Sequence, residues 1–164
     1  MSVHTTLIVE WRGPLTLEEI ESNPEWSNGL YMATGRLKYE RSASIQYCGI
    51  TEGSFFSRLR YHHKVDQIFR EQRFWLGSVK YPSEVSRHYL ELVESMIIYF
   101  WKPALNERKK LSSPKSITLI NRWFKKDNTP RYRQHTLCKD IEDVISWDGN
   151  LWRLGNLQVY DEIV

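Results

Sequence analysis

The stretch GLYMATGRLKYERSASIQYCGIT, residues 29–51, contains the strand-like runs GLYMAT and SIQYCGIT on either side of a polar segment. This arrangement predicts a β-hairpin. Because side chains alternate along a strand, Gly29 and Tyr31 share one face of the first run, and Tyr47 and Gly49 share one face of the second. Each tyrosine therefore has a small neighbour, which favours a cleft above the hairpin, although a tyrosine in a strand commonly serves packing alone.

The rest of the chain alternates strand-like and helix-like segments. Strands are predicted at Thr5–Trp11 and Phe74–Tyr81, a hairpin over Ile145–Val159, and helices at Leu17–Glu21 (capped by Thr16 with Glu19), Ser54–His63, Val65–Gln72 and from Pro82 to Trp101. Residues 117–124 fit either a strand or a helical turn. We expect one α+β domain with a small three-stranded central sheet, antiparallel or mixed, flanked by helices. A strand and helix occupy residues 1–27, and a basic linker and β-rich tail occupy residues 107–164.

Composition bounds the class of protein. The 164 residues suit one domain, and 41% hydrophobic with 26% charged residues is ordinary for a globular protein. The longest apolar run, residues 96–101, is far too short to span a membrane. The N-terminus resembles no secretory signal, and the two cysteines, Cys48 and Cys138, have no metal-binding or redox spacing. We therefore expect a cytoplasmic protein without membrane association.

Positive charge is concentrated in two blocks. Residues 54–80 carry six basic and two acidic side chains, and residues 102–133 carry ten and two, whereas both termini are acidic. Basic blocks interleaved with aromatic residues favour a nucleic-acid partner, because cations neutralise phosphates and rings stack on bases. A solvated basic loop beside core aromatics is the alternative reading.

Three further side chains have patterns that fit chemistry. Arg58 and His62 are four residues apart and so share one face if the segment is helical, where arginine can grip a phosphate and histidine can exchange a proton. His63 is an alternative to His62. A plainer interpretation is that Arg58, His62 and His63 belong to a solvated basic face. Glu94 lies in an apolar row of the longest helix, where a carboxylate is costly unless it is paired, whereas Glu91, four residues after Arg87, fits an ordinary exposed ion pair.

Taken in order, these elements resemble the GIY-YIG nuclease superfamily. The resemblance covers residues 28–106 and rests on Gly29-Leu30-Tyr31, Tyr47-Cys48-Gly49, Arg58 with His62, Glu94, and Pro103-Ala104-Leu105-Asn106. Leu30 and Cys48 stand where the family motif has isoleucine, and the interval between the tyrosines is longer than usual.

The resemblance implies a divalent-metal-dependent DNA endonuclease that hydrolyses phosphodiester bonds with one Mg²⁺ or Mn²⁺. Catalytic roles fall on Tyr31 (general base, or the group orienting the water), Tyr47 (hydrogen bonding), Arg58 (phosphate), His62 (proton relay) and Glu94 (metal). Gly29, Gly49 and Asn106 would support the site. Contacts to DNA are expected from Arg60, Lys64, Lys109, Lys110, Lys125 and Lys126.

Two alternatives belong to other functional classes. One is a non-catalytic nucleic-acid-binding module on the same fold, and the other is an α+β interaction domain with chance motif matches. No segment encodes base-specific readout, because phosphate contacts carry no sequence information. A homodimer would suit double-strand cleavage of a two-fold site, but no interface is visible in the sequence.

Overall fold

The computed structural model describes residues 3–84, 86–110, 113–131 and 141–157. Within them the strands are β1 (Thr5–Leu15), β2 (Ser27–Arg36), β3 (Ser44–Ser54), β4 (Arg70–Tyr81), β5 (Ile117–Phe124), β6 (Val144–Trp147) and β7 (Trp152–Gly155). The helices are α1 (Leu17–Glu21), α2 (Phe55–Leu59) and α3 (Arg87–Trp101), with one turn of 3₁₀ helix at Val65–Gln67. Within these ranges no helix is both long enough and apolar enough to cross a membrane.

The described strands form one mixed sheet of seven, in the order β3-β2-β4-β1-β5-β6-β7. The predicted α+β fold with a three-stranded sheet flanked by helices is therefore wrong, because the protein is mostly β. All neighbouring strands are antiparallel except β1 and β5, which run parallel. The error arose because the flanking strands were expected as extensions, whereas they hydrogen-bond into the same sheet.

The first strand holds the centre of this sheet. It pairs with β4 on one side and with β5 on the other, so the predicted N-terminal extension joins the two halves of the molecule. Trp11 is fully buried, and its indole Nε1 donates a 2.9 Å hydrogen bond to Oδ1 of buried Asn121 in β5. The Trp11 ring passes so close to Gly77 of β4 that a Cβ there would lie 2.7 Å from it. A side chain at position 77 would thus push these two central strands apart.

Alternation along the strands gives the sheet two apolar faces. Leu30, Met32, Cys48 and Trp75 share a core with α3. On the opposite face, Tyr31, Ala33, Phe74 and Leu76 pack with Phe55 and Leu59 of α2 and with Ile20 of α1. The two helices of the predicted site therefore lie on opposite faces of the sheet.

Several predicted elements are confirmed. Residues 29–34 and 44–51 form an antiparallel hairpin with Met32 opposite Cys48. Thr16 and Glu19 make the predicted capping box at the start of α1. Residues 117–124 are a strand, and β6 and β7 form the predicted tail hairpin, of which residues 158 and 159 lie outside the described ranges.

The helices predicted over 54–63 and 65–72 are mostly wrong in their extent. Helix α2 is capped by Ser54, the first residue of the predicted helix, but ends at Leu59, because Arg60 is extended and Tyr61 has a φ of 58°. The helix predicted over 65–72 shrinks to Val65–Gln67, since β4 already begins at Arg70 and pairs with β2. Cross-strand hydrogen bonds outweigh the local helical pattern here.

Replacing Asn121 with alanine should destabilise the protein by about 1–3 kcal/mol, because the buried Trp11 Nε1–H would lose its acceptor. Urea unfolding followed by tryptophan fluorescence measures the change. Exposed Asn150, whose side chain makes none of the hydrogen bonds seen in the described structure, is the control, and Asn150→Ala should change stability by less than about 0.5 kcal/mol. Equal losses in the two variants would contradict the role given to Asn121.

Candidate active site

A cavity of about 810 Å³ wraps around the free edge of β3, between α2 on one face of the sheet and α3 on the other. The predicted side chains that line it are Tyr47, Arg58, His62, Glu94 and Asn106, together with Gly49. These residues come from four separate segments of the chain. The fold therefore gathers most of the sequence-predicted site around one opening.

Tyr31 lies beneath this cavity. Its side chain is fully buried, and a Cβ at Gly49 would lie 2.4 Å from its hydroxyl oxygen. Gly49 itself lines the cavity, so the glycine is what allows the Tyr31 hydroxyl to approach the opening. Gly29 serves packing, because a Cβ there would lie 2.2 Å from the carbonyl oxygen of Gly77.

The two tyrosines stack side by side with ring centroids 6.1 Å apart. Tyr47 is half-buried and forms part of the cavity wall. Burial raises the pKa of both phenols, and the positive charge of Arg58 opposes this effect without overcoming it. Both hydroxyls are therefore protonated at neutral pH, which favours orienting the water over acting as a general base, the two roles expected for Tyr31.

His62 is held in one tautomer by the backbone. Its Nδ1 accepts hydrogen bonds from the amides of Lys64 at 3.2 Å and Val65 at 3.4 Å. In the neutral ring the proton must then lie on Nε2, which is 3.5 Å from the Tyr31 hydroxyl oxygen. Neither ring nitrogen has a lone pair left for a proton from Tyr31, so this pattern favours His62 as a donor to Tyr31. His63 stacks on His62 and is exposed at the cavity.

Glu94 faces the cavity from α3 with its side chain only 14% exposed. Its Oε1 accepts a 2.6 Å hydrogen bond from Nζ of Lys109, which satisfies the expectation that a carboxylate in this apolar row needs a partner. Glu91, one turn earlier, pairs with Arg87 at 2.9 Å at the surface, as its spacing predicts. The two acids of α3 therefore differ as the sequence pattern indicates.

Asn106 fastens the chain after α3 to the edge of β3. Its Oδ1 accepts from the Cys48 amide and its Nδ2 donates to the Cys48 carbonyl, both at 2.9 Å. The Leu105 amide donates to the Gln46 carbonyl at 2.8 Å. Asn106 is nearly buried and supports the site by holding the loop after α3 against the backbone of β3.

The predicted DNA-contacting residues divide into two groups. Arg60, Lys64 and Lys109 line the cavity, although Lys64 pairs with Glu107 at 2.5 Å. Lys110 instead approaches the Ala104 carbonyl, and Lys125 and Lys126 lie beyond β5, where Lys126 pairs with Glu19 at 2.9 Å. These three are not part of the cavity lining.

Sequence reasoning missed four charged residues of the cavity: Arg87, Glu91, Glu107 and Arg108. Arg108 belongs to the second basic block, so charge distribution was the signal that could have selected it. Arg87 was read only as the partner of Glu91, yet it also pairs with Glu52 of β3 at 2.9 Å. In all, six lysines and arginines and three glutamates line the cavity, which leaves it positive.

The donor set suits a single hard cation bound mostly by water and substrate. Among the described residues, no three His, Cys, Asp or Glu side chains cluster as a metal cage would require. Magnesium commonly uses one or two protein carboxylates and keeps several waters, and Glu94 offers one carboxylate at a wide polar opening. Glu94 is therefore the residue that would hold such an ion at this opening.

Comparison of the chain with protein-family models, with curated proteins and with solved structures finds no match. The assignment of function therefore depends on the residues and their geometry.

Gly49→Ala should lower stability by about 1–3 kcal/mol, because the added methyl group would overlap the Tyr31 hydroxyl. Gly53 in the same strand is a matched control, since its nearest neighbour to an added Cβ is 3.8 Å away. Urea unfolding of both variants checks this, and a Gly49→Ala protein as stable as Gly53→Ala would refute the close contact.

The stability of the protein should depend on His62 below about pH 6.5. Burial, with Arg58 and His63, lowers the pKa of His62, so the unfolded state binds the proton more readily. Stability is then full above the unfolded pKa near 6.5 and falls as the pH drops below it, by at most about 1.4 kcal/mol per pH unit.

Urea midpoints at pH 7.5 and 5.5 test this dependence. His62→Gln should lose less stability between the two pH values than the wild type loses. His88→Gln, at an exposed position on α3, should behave as the wild type does. The same pH dependence in all three proteins would show that His62 is not the group responsible.

Proposed function

We propose that the protein is a divalent-metal-dependent DNA endonuclease of the GIY-YIG type. The observation that carries this proposal is the gathering of Tyr47, Arg58, His62 and Glu94 around one cavity, with Tyr31 directly beneath Gly49. The resemblance selected these residues from sequence order alone. Tyr31 lies on β2, Tyr47 on β3, Arg58 on α2 and Glu94 on α3, and His62 follows α2. Chance matches to a motif would not be expected to converge in space.

The charge of the cavity supports a polyanionic substrate. Arg58, Arg60 and Arg108 form no ion pair with any carboxylate in the described part of the chain, so no acid neutralises their positive charge. Arg58 also hydrogen-bonds to the Tyr31 side chain, and all three guanidinium groups can bind phosphate oxygens. The exposed ring of Tyr61 stands at the same opening, 5.9 Å from the Arg60 guanidinium, where it could contact a base or sugar. Nucleic-acid binding here would weaken with added salt.

In the proposed reaction, a water oxygen forms a new bond to a backbone phosphorus, the P–O bond to the leaving oxygen breaks, and a proton of the water ends on that leaving oxygen. Tyr47 holds the water or a phosphate oxygen from the cavity wall, and Tyr31 supports it from beneath Gly49. Because both phenols are neutral at pH 7, they orient the water by hydrogen bonds and are not standing bases. His62 Nε2–H donates to Tyr31 and directs the hydroxyl proton away from the imidazole.

Arg58 would bind the phosphate and stabilise the charge that builds on it. Glu94 is the residue that would hold magnesium or manganese. When bound, such an ion supplies Lewis-acid stabilisation of the phosphate and the leaving oxygen.

A non-catalytic nucleic-acid-binding module remains the second candidate, and one contact favours it. Lys109 already pairs with the Glu94 carboxylate, so the negative charge of this carboxylate is balanced without a metal. A binding module would keep the salt-dependent affinity for DNA but would cut nothing.

Supercoiled plasmid with Mg²⁺ distinguishes these functions. The wild type should nick or linearise it, EDTA should abolish cutting, and Glu94→Gln should lower the rate at least about 100-fold, because the metal loses its charged ligand. Glu91→Gln is the matched control: its carboxylate is exposed and held by Arg87, and we expect cutting within about threefold of the wild type.

The binding-module alternative predicts a different pattern, in which wild type and Glu94→Gln bind DNA alike and neither cuts. Cutting by Glu94→Gln at the wild-type rate would contradict the role of Glu94.

A further inference from the structure

Lys109 holds the carboxylate at the centre of the proposed site. Its Nζ lies 2.6 Å from Oε1 of Glu94, and the two side chains are 35% and 14% exposed. Both line the cavity, and Lys109 comes from the segment that Asn106 fastens to β3. The pair is therefore built from α3 and the chain that follows it, at the mouth of the opening.

The backbone at Lys109 adds a second observation. Its φ is 68°, a left-handed backbone conformation that residues other than glycine, asparagine and aspartate seldom adopt. Such a conformation persists where surrounding contacts hold it in place. The ion pair with Glu94 joins this lysine to a helix of the core.

An ammonium group this close takes the position that a cation on Glu94 would need. A divalent ion and a lysine at the same carboxylate would repel each other strongly in a half-buried site. We infer that Lys109 is the internal counter-ion of Glu94 and that a divalent metal binds Glu94 only by displacing it. This inference rests on the proposed function, because it assumes that Glu94 is the metal-binding residue.

Displacement of Lys109 explains how the Glu94 site stays stable without a metal ion and becomes strongly positive when an ion binds. Without metal, the carboxylate is neutralised by Lys109 and pays little for its burial. With metal, Lys109 is released beside Arg108 at the same opening, where a phosphate oxygen can replace Glu94 as its partner. Lys109 thus competes with the metal in the free protein.

Binding of Mn²⁺ to the protein alone, measured by electron paramagnetic resonance of the free ion, tests the competition without any cleavage assay. Lys109→Met keeps the apolar stem and removes the charge, and Lys109→Gln removes the charge but keeps a hydrogen-bond donor. Both variants should bind Mn²⁺ about tenfold more tightly than the wild type. Two variants guard against a folding defect in one, and circular dichroism confirms that each is folded.

Two controls retain the competing charge. Lys109→Arg keeps a cation next to Glu94 and should bind Mn²⁺ within twofold of the wild type. Lys110→Met removes the neighbouring charge, which does not contact Glu94, and should also leave the affinity unchanged. Glu94→Gln in the Lys109→Met background should abolish the gain, which places the ion at Glu94.

The inference is overturned if Lys109→Met and Lys109→Gln both bind Mn²⁺ within twofold of the wild type, or if Lys109→Arg gains as much as they do. Plasmid cutting that depends on Glu94, together with unchanged Mn²⁺ affinity in the lysine variants, would remove this inference alone. Absence of Mn²⁺ binding in every variant would remove the metal role of Glu94 and this inference together.

Discussion

The site depends on the way Asn106 covers the free edge of β3. One side-chain amide satisfies both the N–H and the C=O of Cys48, which would otherwise be unpaired on a nearly buried strand edge. This contact turns the chain after α3 back across the edge of the sheet. It brings Glu107, Arg108 and Lys109 to the cavity that α3 and α2 line from opposite faces. Without it, the residues on the two faces of the sheet would not share one opening.

Close packing at glycine positions places the aromatic groups. Gly49 leaves room for the hydroxyl of Tyr31, and Gly77 leaves room for the ring of Trp11 in the central strand. A Cβ atom at either glycine would overlap the aromatic side chain, so the backbone of one strand packs directly on that side chain. The phenol under Gly49 is consequently buried and close to the cavity at once. The same burial keeps it protonated, which directs the proposed chemistry toward orientation of water.

The sheet shows where local sequence information ends. The hairpin of β2 and β3, the capping box of α1 and the ion pair of Glu91 with Arg87 were predicted correctly, because each depends on residues near one another in the chain. The size of the sheet was predicted wrongly, because the parallel pairing of β1 with β5 joins residues more than a hundred positions apart. The helix predicted at 65–72 failed for a related reason, since the residues from Arg70 onward pair with β2.

The chain by itself indicated most of the side chains that the fold gathers at the cavity, and it distinguished the two acids of α3. Glu94 sits in an apolar row and Glu91 does not, and helical periodicity is enough to show this. Only the tertiary structure decided what each group can do. The tautomer of His62 is set by the amides of Lys64 and Val65, the protonation of Tyr31 by burial, and the ion pair of Glu94 by the position of Lys109. Those properties depend on solvent access and on distances between atoms, which the order of residues does not contain.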